Sequence, residues 1–227
     1  MNYEQARFNM IEQQIRPWEV LDSQVLSLLA LIRREDFVPP AMKSLAFADM
    51  EIPLGSKPGQ TMLAPKVEAR LLQDLAVQKH EKVLEIGAGS GYMAALLAHR
   101  GQQVITVEID PDLAQLAREN LKKAGMYNAE VRTGDGAARL DQAVSSNDPL
   151  SGPFDVIALS GSVAEVPQGL LAMLKPGGRL SAIVGSGPVM SATLITRVSE
   201  SAFRTVKGWD TVAPRLLNFP EPSKFNF

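Results

Sequence analysis

The chain of 227 residues has no cysteine and only two histidines, His80 and His99. The absence of cysteine excludes a disulfide scaffold, a thiolate zinc site, an iron–sulfur cluster and a cysteine nucleophile. The two histidines stand 19 positions apart, without the nearby carboxylate and histidine pattern that is typical of a metal site. We therefore expect no bound metal and no thiol chemistry.

Neither an excess of one charge nor a long apolar run is present. Lys and Arg number 23 against 25 Asp and Glu, a formal net charge of −2, and no basic stripe of the kind that phosphate binding needs is visible. No run of about 18 apolar residues occurs, and the first five residues lack the basic start and apolar block of a signal peptide. The sequence predicts a cytoplasmic protein that contacts neither nucleic acid nor membrane. It does not indicate an oligomeric state.

The middle of the chain, residues 81–185, alternates between strand and helix patterns. Strands are predicted over 82–86, 103–107, 129–133, 154–159 and 180–184, and helices over 92–100, 112–124 and 169–174. Such alternation is typical of parallel strands joined by right-handed crossovers. We therefore expect an α/β fold with a doubly wound, mostly parallel sheet.

The two flanks of this region show other patterns. Asp22 is a suitable helix N-cap for the apolar residues that follow at three- and four-residue spacing, and Pro39-Pro40 is expected to end that helix. Residues 51–65 hold three prolines and two glycines and predict an extended loop. Further expectations are a helix over 67–75, edge strands over 192–198 and 203–209, a loose surface loop over 145–153 and an irregular tail over 219–227.

Glycines alternate at positions 87, 89 and 91, between a predicted strand and a predicted helix. Glycine allows a tight turn and a close approach of the backbone to a ligand, and the helix start offers free N–H groups. A dinucleotide fingerprint would need glycine where Tyr92 stands, and no Lys-Ser or Lys-Thr pair closes a phosphate loop. The segment from Glu85 to Gly91 resembles the first motif of S-adenosylmethionine-dependent methyltransferases, which implies a Rossmann-like fold.

Two acidic residues follow the next strands. Glu108 ends the second strand, where a carboxylate can accept hydrogen bonds from both hydroxyls of a ribose. Asp135 stands between two glycines after the third strand, and in the superfamily that this motif resembles, the corresponding place holds the adenine amino group. Both positions favour a nucleoside-containing cofactor at the carboxyl edge of the sheet.

Several N-terminal segments narrow the resemblance to one family. The sequences of residues 33–39, 52–55 and 59–65 resemble the protein-L-isoaspartate O-methyltransferase family, over about residues 7–216 in all. That resemblance implies an N-terminal helical segment with an acceptor loop, residues 1–80, packed on a methyltransferase core, residues 81–227, as one structural domain. It further implies methyl transfer from S-adenosyl-L-methionine to isoaspartyl carboxylates of damaged peptides or proteins, with S-adenosyl-L-homocysteine as the product.

Matching motif positions also implies a set of cofactor-binding residues. The loop before the third helix would lie at the methionine end of the cofactor, and the acidic residues after the second and third strands at its ribose and adenine. The complete set is Gln60, Thr61, Met62, Glu68, Glu85, Gly87, Ala88, Gly89, Ser90, Gly91, Glu108, Ile109, Asp135 and Gly136.

One position departs from the family pattern. The family's loop ends in a serine that hydrogen-bonds the acceptor carboxylate, and this chain has Leu63 there. Loss of a hydrogen bond to a charged group costs about 1.5–3 kcal/mol, roughly 10- to 150-fold in rate. Alignment of the reacting groups can supply more than that, so the loss weakens catalysis without abolishing it. Thr61, Ser160 and Ser162 could replace the missing donor, and the catalytic candidates are Thr61, Ser160 and the position of Leu63.

Two alternatives to isoaspartyl methylation stay open. Because leucine makes the acceptor site drier and bulkier, the chain could be a related methyltransferase for a small-molecule acid or another modified peptide. It could also bind the cofactor without transferring a methyl group. Arg215 could meet a substrate carboxylate, but one arginine in a polar tail does not define a site.

Overall fold

The computed structural model describes residues 2–138 and 152–221. Its strands are β1 (Ile52–Pro53), β2 (Thr61–Met62), β3 (Lys82–Ile86), β4 (Gln103–Glu108), β5 (Ala129–Thr133), β6 (Phe154–Val163), β7 (Leu174–Ser186), β8 (Val189–Arg197) and β9 (Phe203–Thr211). Its α-helices are α1 (Tyr3–Met10), α2 (Ser23–Leu31), α3 (Pro65–Leu75), α4 (Tyr92–Arg100), α5 (Pro111–Lys123) and α6 (Gln168–Ala172). In the described part of the chain, no helix has the length and apolar character that a membrane span requires.

A twisted α/β sheet organises the described residues. Its strand order is β5-β4-β3-β6-β7-β8-β9, and β1 and β2 form a separate antiparallel pair. Neighbours from β5 to β7 are parallel, whereas β8 and β9 add antiparallel strands at one edge. The expected doubly wound, mostly parallel sheet of a Rossmann-like fold is confirmed.

Consecutive residues of the central strand pack on opposite faces of the sheet. Val83 belongs to an apolar cluster with residues of α3, α4 and α5, whereas Leu84 belongs to a second cluster with residues of α6. Since side chains alternate along a strand, helices cover both faces. This explains why β3 and β4 are buried at almost every position instead of alternating between buried and exposed residues.

Element bounds differ from the prediction where tertiary contacts override local preference. Asp22 caps α2 as expected, but the prediction that Pro39-Pro40 ends this helix is wrong. α2 ends at Leu31, because Ile32 takes an extended backbone and turns the chain inward. β7 begins earlier than predicted, because Leu174 pairs with Phe154 of β6 before a register shift. Most of the predicted loop over 145–153 lies outside the described residues.

A fully buried arginine joins the N-terminal segment to the core. Arg34 is 0% exposed, and its guanidinium pairs with the Glu68 carboxylate of α3. It also donates to two backbone carbonyls, Ala46 through Nε at 3.0 Å and Leu63 through Nη2 at 2.6 Å. A buried charge is stable only when its hydrogen bonds are satisfied. These contacts therefore fix the loop before α3 against the N-terminal segment.

We expect Arg34→Met to lower the free energy of unfolding by about 3–5 kcal/mol, because the buried Glu68 carboxylate and two carbonyl groups lose their donor. Urea unfolding followed by circular dichroism measures the change. Arg33→Met is the matched control, since the neighbouring Arg33 is exposed and such a change should stay within about 0.5 kcal/mol. A similarly small loss of unfolding free energy in both variants would contradict the role of Arg34 as the anchor between the N-terminal segment and the core.

Candidate functional site

A cleft of about 290 Å³ opens at the carboxyl ends of β3 and β4. The chain continues from β3 to β4 and β5 on one side and later returns as β6 on the other. This is a switch point of the sheet, the place where open α/β folds bind their ligands. The walls of the cleft come from within residues 57–61, 86–89, 107–113, 135–136 and 215–219, together with Ser160.

A second cavity of about 20 Å³ adjoins this cleft. Thr61, Gly87, Gly89 and Ser160 line both cavities, so the two are parts of one site. The remaining walls of the small cavity are Met62, Leu63, Glu68, Glu85, Ala88, Ser90, Tyr92 and Met93. The site therefore combines a larger end, rich in backbone groups, with a small and acidic end.

The glycine loop shapes the junction of the two cavities. Gly87 has a φ of +95°, and a Cβ there would lie 3.0 Å from Leu216 Cδ2 and 3.4 Å from the carbonyl oxygen of Ser160. Gly91 has another role, because it lines neither cavity. A Cβ at Gly91 would lie 3.2 Å from the carbonyl oxygen of Ala117, so this glycine allows α4 and α5 to pack closely. Only the first of these glycines belongs to the site itself.

The carboxylate of Glu108 is held by backbone amides. Gly89 N donates to its Oε2 at 2.9 Å and Asp110 N to its Oε1 at 3.1 Å, and the residue is 6% exposed. A carboxylate has about four lone-pair positions, so each oxygen can accept one more hydrogen bond. The structure thus places Glu108 on the cleft wall with free capacity for two hydroxyl donors.

Asp110, which is not among the residues predicted for the site, ties the loop before β2 across the cleft. Lys57 Nζ and Gln60 Nε2 both donate to its Oδ2, at 2.7 and 2.8 Å. The Lys57 ammonium group holds the pKa of Asp110 below its usual range. Asp110 also caps α5, and the Asp-Pro pair at a helix start is the sequence signal that could have located it.

Asp135 is fixed at the opposite end of the cleft. Its Oδ1 accepts a hydrogen bond from Ala137 N at 2.8 Å, and its Oδ2 accepts one from Asn218 Nδ2 at 2.7 Å. One hydrogen bond on each oxygen sets the plane of the carboxylate. A purine amino group is a donor that such an acceptor can bind.

Two buried carboxylates give the small cavity its character. Burial raises the pKa of Glu85 to about 8 and that of Glu68 to about 7, and Arg34 limits the rise at Glu68. Ser160 Oγ donates to Glu85 Oε1 at 2.7 Å, whereas Glu85 Oε2 has no hydrogen-bond partner among the described residues. A buried acceptor without a donor is costly. This end of the site therefore favours a ligand group that is cationic or donates hydrogen bonds.

The three hydroxyls predicted to replace the family serine are already engaged. Each donates its hydrogen to a group of the protein: Thr61 to Glu51 (3.2 Å), Ser160 to Glu85 (2.7 Å) and Ser162 to the carbonyl of Ala213 (2.8 Å). A hydroxyl has one hydrogen to donate. The structure thus leaves none of them free to bind an acceptor carboxylate, and Ser162 lines neither cavity.

Leu63 forms the wall between the small cavity and an open groove of about 530 Å³. The side chain is 5% exposed and lines both spaces. Among the described residues that line the groove, Lys66 is the only cation. It is occupied, because it pairs with Asp49 at 2.7 Å and lies 3.9 Å from the centre of the Trp18 ring. The groove brings an acceptor to Leu63 but offers it no free positive charge.

The segment over residues 213–219 forms a wall of the cleft that no sequence pattern indicates. Arg215, Leu216, Leu217 and Phe219 all line it. The segment is short, holds one proline and two polar residues among its seven, and shows no periodicity. Its position comes from long-range hydrogen bonds, since Ser162 N donates to the carbonyl of Pro214 at 2.8 Å and Leu216 N to that of Ser162 at 2.9 Å.

Comparison with known families agrees with these features. The profile of the family described as protein-L-isoaspartate(D-aspartate) O-methyltransferase matches residues 5–209. A protein-L-isoaspartate O-methyltransferase of Myxococcus xanthus is 43% identical over 182 residues, 80% of this chain and 80% of that protein. The corresponding protein of Methanoculleus marisnigri is 41% identical over 79% of this chain and 77% of its own length. One from Syntrophobacter fumaroxidans is 36% identical over 92% of both chains.

Solved structures share the fold at lower identity. A protein-L-isoaspartate O-methyltransferase aligns with a TM-score of 0.74 and 23% identity over 91% of this chain, which spans 64% of that longer chain. A Plasmodium falciparum structure, described as a beta-aspartate methyltransferase in complex with S-adenosyl-L-homocysteine, aligns with a TM-score of 0.72 and 19% identity. That alignment covers 95% of this chain and 99% of the other. At these identities the structures support the fold alone.

Because the pKa of Glu85 is raised, we expect the difference in free energy of unfolding between the wild type and Glu85→Gln to depend on pH. Between the ordinary value of 4.5 and the value of about 8 in the fold, the folded chain binds this proton more tightly than the unfolded chain. Raising the pH through this window therefore costs stability, at most about 1.4 kcal/mol for each pH unit. We expect the wild type to lose stability relative to Glu85→Gln as the pH rises through the window, measured by urea unfolding at each pH.

Glu130→Gln serves as the control for this experiment, since Glu130 is exposed on β5. Its stability should follow the wild type at every pH. A constant difference between wild type and Glu85→Gln across the window would contradict the assignment of a protonated carboxyl to the small cavity.

Proposed function

The chain belongs to the protein-L-isoaspartate(D-aspartate) O-methyltransferase family, and we propose that it transfers a methyl group from S-adenosyl-L-methionine to isoaspartyl carboxylates of damaged peptides and proteins. The observation that carries this proposal is the two-part site at the switch point of the sheet. A cleft of about 290 Å³ continues into a small acidic cavity, and that cavity ends at Leu63 beside an open groove. The arrangement separates a cofactor space from an acceptor space.

The residues present fit this cofactor. Glu108 would accept the ribose hydroxyls and Asp135 the adenine amino group. The methionine ammonium would face Glu85, whose Oε2 lacks a partner, with Glu68 beside it. Gly87 leaves room where a Cβ would meet Leu216. The ribose hydroxyls, the adenine amino group and the ammonium group of the cofactor thus each have a complementary group in this chain.

When bound, S-adenosyl-L-methionine supplies an electrophilic methyl group on a positively charged sulfur. The chain's task is to hold a carboxylate oxygen in line with that group, and such positioning supplies about 7–11 kcal/mol. The acceptor carboxyl is ionised at neutral pH, so no side chain has to remove a proton. Leu63 and Leu216 exclude water from the junction, which strengthens the electrostatic contacts there.

A second candidate is methyl transfer to a different acceptor, a small-molecule acid or another modified peptide. Glu51, which lines the groove, favours it, because its carboxylate accepts the hydroxyl hydrogen of Thr61 and so leaves that hydroxyl unable to bind an isoaspartyl carboxylate. Burial also raises the pKa of Glu51. Leu63 favours it as well, since the loop presents an apolar side chain where the family has a hydroxyl. Cofactor binding without methyl transfer is the outcome that would exclude both candidates.

We expect methyl transfer from labelled S-adenosyl-L-methionine to an isoaspartyl peptide and none to the matching aspartyl peptide. The product should be a base-labile methyl ester, which the release of labelled methanol measures. Calorimetry with S-adenosyl-L-homocysteine in the same preparation verifies the cofactor site. Tight cofactor binding without transfer to the isoaspartyl peptide would refute the proposed acceptor, and transfer to other acids would then support the second candidate.

Leu63→Ser should place a hydroxyl donor beside the acceptor carboxylate. Its matched control is Leu63→Ala, which leaves nearly the same space without the donor. We expect kcat/KM for the isoaspartyl peptide to be about 10- to 150-fold higher in Leu63→Ser than in Leu63→Ala. Equal values in the two variants would mean that no acceptor carboxylate comes within hydrogen-bond distance of position 63.

A further inference from the structure

Residues 213–219, the C-terminal strap, run along the whole site. Pro214 lies beside the loop before β2, because a Cβ at Gly59 would be 3.9 Å from its Cβ. Leu216 contacts the glycine loop at Gly87, and Asn218 donates to Asp135 at the far end of the cleft. The strap therefore passes the acceptor loop first and the adenine end last. Arg215 falls between the first two of these contacts.

The guanidinium of Arg215 is only partly satisfied. Its Nε pairs with Glu221 at 2.9 Å, and its Nη2 donates to the carbonyl of Gly185 at 2.9 Å. Its Nη1 is shielded from solvent and has no hydrogen-bond partner among the described residues. A buried charged donor without an acceptor is costly and requires an explanation. Arg215 lines the cleft, and Val212, three residues before it, lines the groove, so an acceptor that reaches from the groove into the cleft would provide one.

Other donors near the acceptor end are engaged, except the neutral hydroxyl of Tyr92, which lines the small cavity without a partner among the described residues. The side chains of Thr61 and Ser160 donate to carboxylates, as described above. Four donors and their acceptors are Lys57 and Gln60 with Asp110, Lys66 with Asp49, and Arg34 with Glu68. Among the described residues that line the two cavities and the groove, this leaves Arg215 Nη1 as the cationic donor without a partner.

We infer that Arg215 binds the acceptor carboxylate through Nη1, and so supplies the contact that the family obtains from the serine at the position of Leu63. This inference rests on the proposed function, since it assigns a partner to the isoaspartyl carboxylate. A guanidinium binds carboxylates with directed, charge-assisted hydrogen bonds. It would hold one acceptor oxygen and leave the other free to react.

The chemistry of the transfer is consistent with this role. The free acceptor oxygen forms the new C–O bond as the S–CH₃ bond breaks, the sulfur retains the electron pair, and no proton moves. The acceptor changes from an anion to a neutral ester, which no longer pairs with a cation. Arg215 thus favours binding of the carboxylate substrate over retention of the methylated product.

The test measures peptide binding to the protein saturated with S-adenosyl-L-homocysteine, so that no methyl transfer takes place. Two peptides differ only in the acceptor, an isoaspartyl carboxylate or the corresponding carboxamide. We expect the wild type to bind the carboxylate peptide about 10- to 150-fold more tightly than the carboxamide peptide. Arg215→Met should bind both with similar affinity, and Arg215→Lys should retain part of the preference.

Two controls separate a direct contact from loss of the strap. The affinity for S-adenosyl-L-homocysteine should change little in Arg215→Met, because Leu216 and Phe219 keep their places in the cleft. Arg204→Met removes an exposed arginine of β9 and should keep the wild-type preference. If Arg215→Met binds the cofactor product poorly, Arg215→Gln, which keeps a polar side chain without the charge, replaces it in the comparison.

The inference is overturned if the wild type does not prefer the carboxylate peptide, or if the preference persists without the Arg215 charge. The proposed function fails by a different observation, the absence of methyl transfer to the isoaspartyl peptide in the turnover assay. A preference that depends on Arg215 in a protein without turnover would support the carboxylate contact and exclude the enzyme activity.

Discussion

The burial of Arg34 is the constraint on which the acceptor side of the site depends. A cation at 0% exposure must find its acceptors inside the protein, and it takes them from α3, from the loop before it and from the N-terminal segment. Loss of any one leaves charge or hydrogen bonds unbalanced, so the three elements keep fixed positions around the small cavity. The same cation limits the rise in the pKa of Glu68 and thus keeps a larger fraction of this carboxyl ionised beside Glu85.

The nucleoside half of the site could be predicted from the sequence because its parts are local. The glycine loop, Glu108 and Asp135 each follow a strand, and parallel strands bring their carboxyl ends to one edge. The contacts of Arg34 and Arg215 within the fold were not predictable in this way, although the sequence offered Arg215 as a possible partner of a substrate carboxylate. Their partners are 34 and 30 residues away, Glu68 and Gly185, and no period or motif encodes such contacts. The end of α2 was missed for the same reason, since the inward turn at Ile32 serves the burial of Arg34.

Leucine at position 63 changes how the site balances charge. Glu51, Glu68 and Glu85 bring three carboxylates to the region, and the hydroxyls of Thr61 and Ser160 are used to satisfy two of them. An anionic acceptor entering a region of acidic side chains gains more from a full positive charge than from a further dipole, because a charge attracts it over a longer range than a hydroxyl can. A guanidinium at the cleft wall meets that need without removing a hydrogen bond from any carboxylate.

The C-terminal strap links the two halves of the site. Ser162 holds it through the backbone of Pro214 and Leu216, and the burial of Phe219 secures its other end. Between these anchors it carries Arg215 toward the acceptor end and Asn218 to Asp135 at the adenine end. In this chain, cofactor binding and acceptor binding therefore share one element, and the serine that the loop lacks is only one of several ways to hold an acceptor carboxylate beside the cofactor.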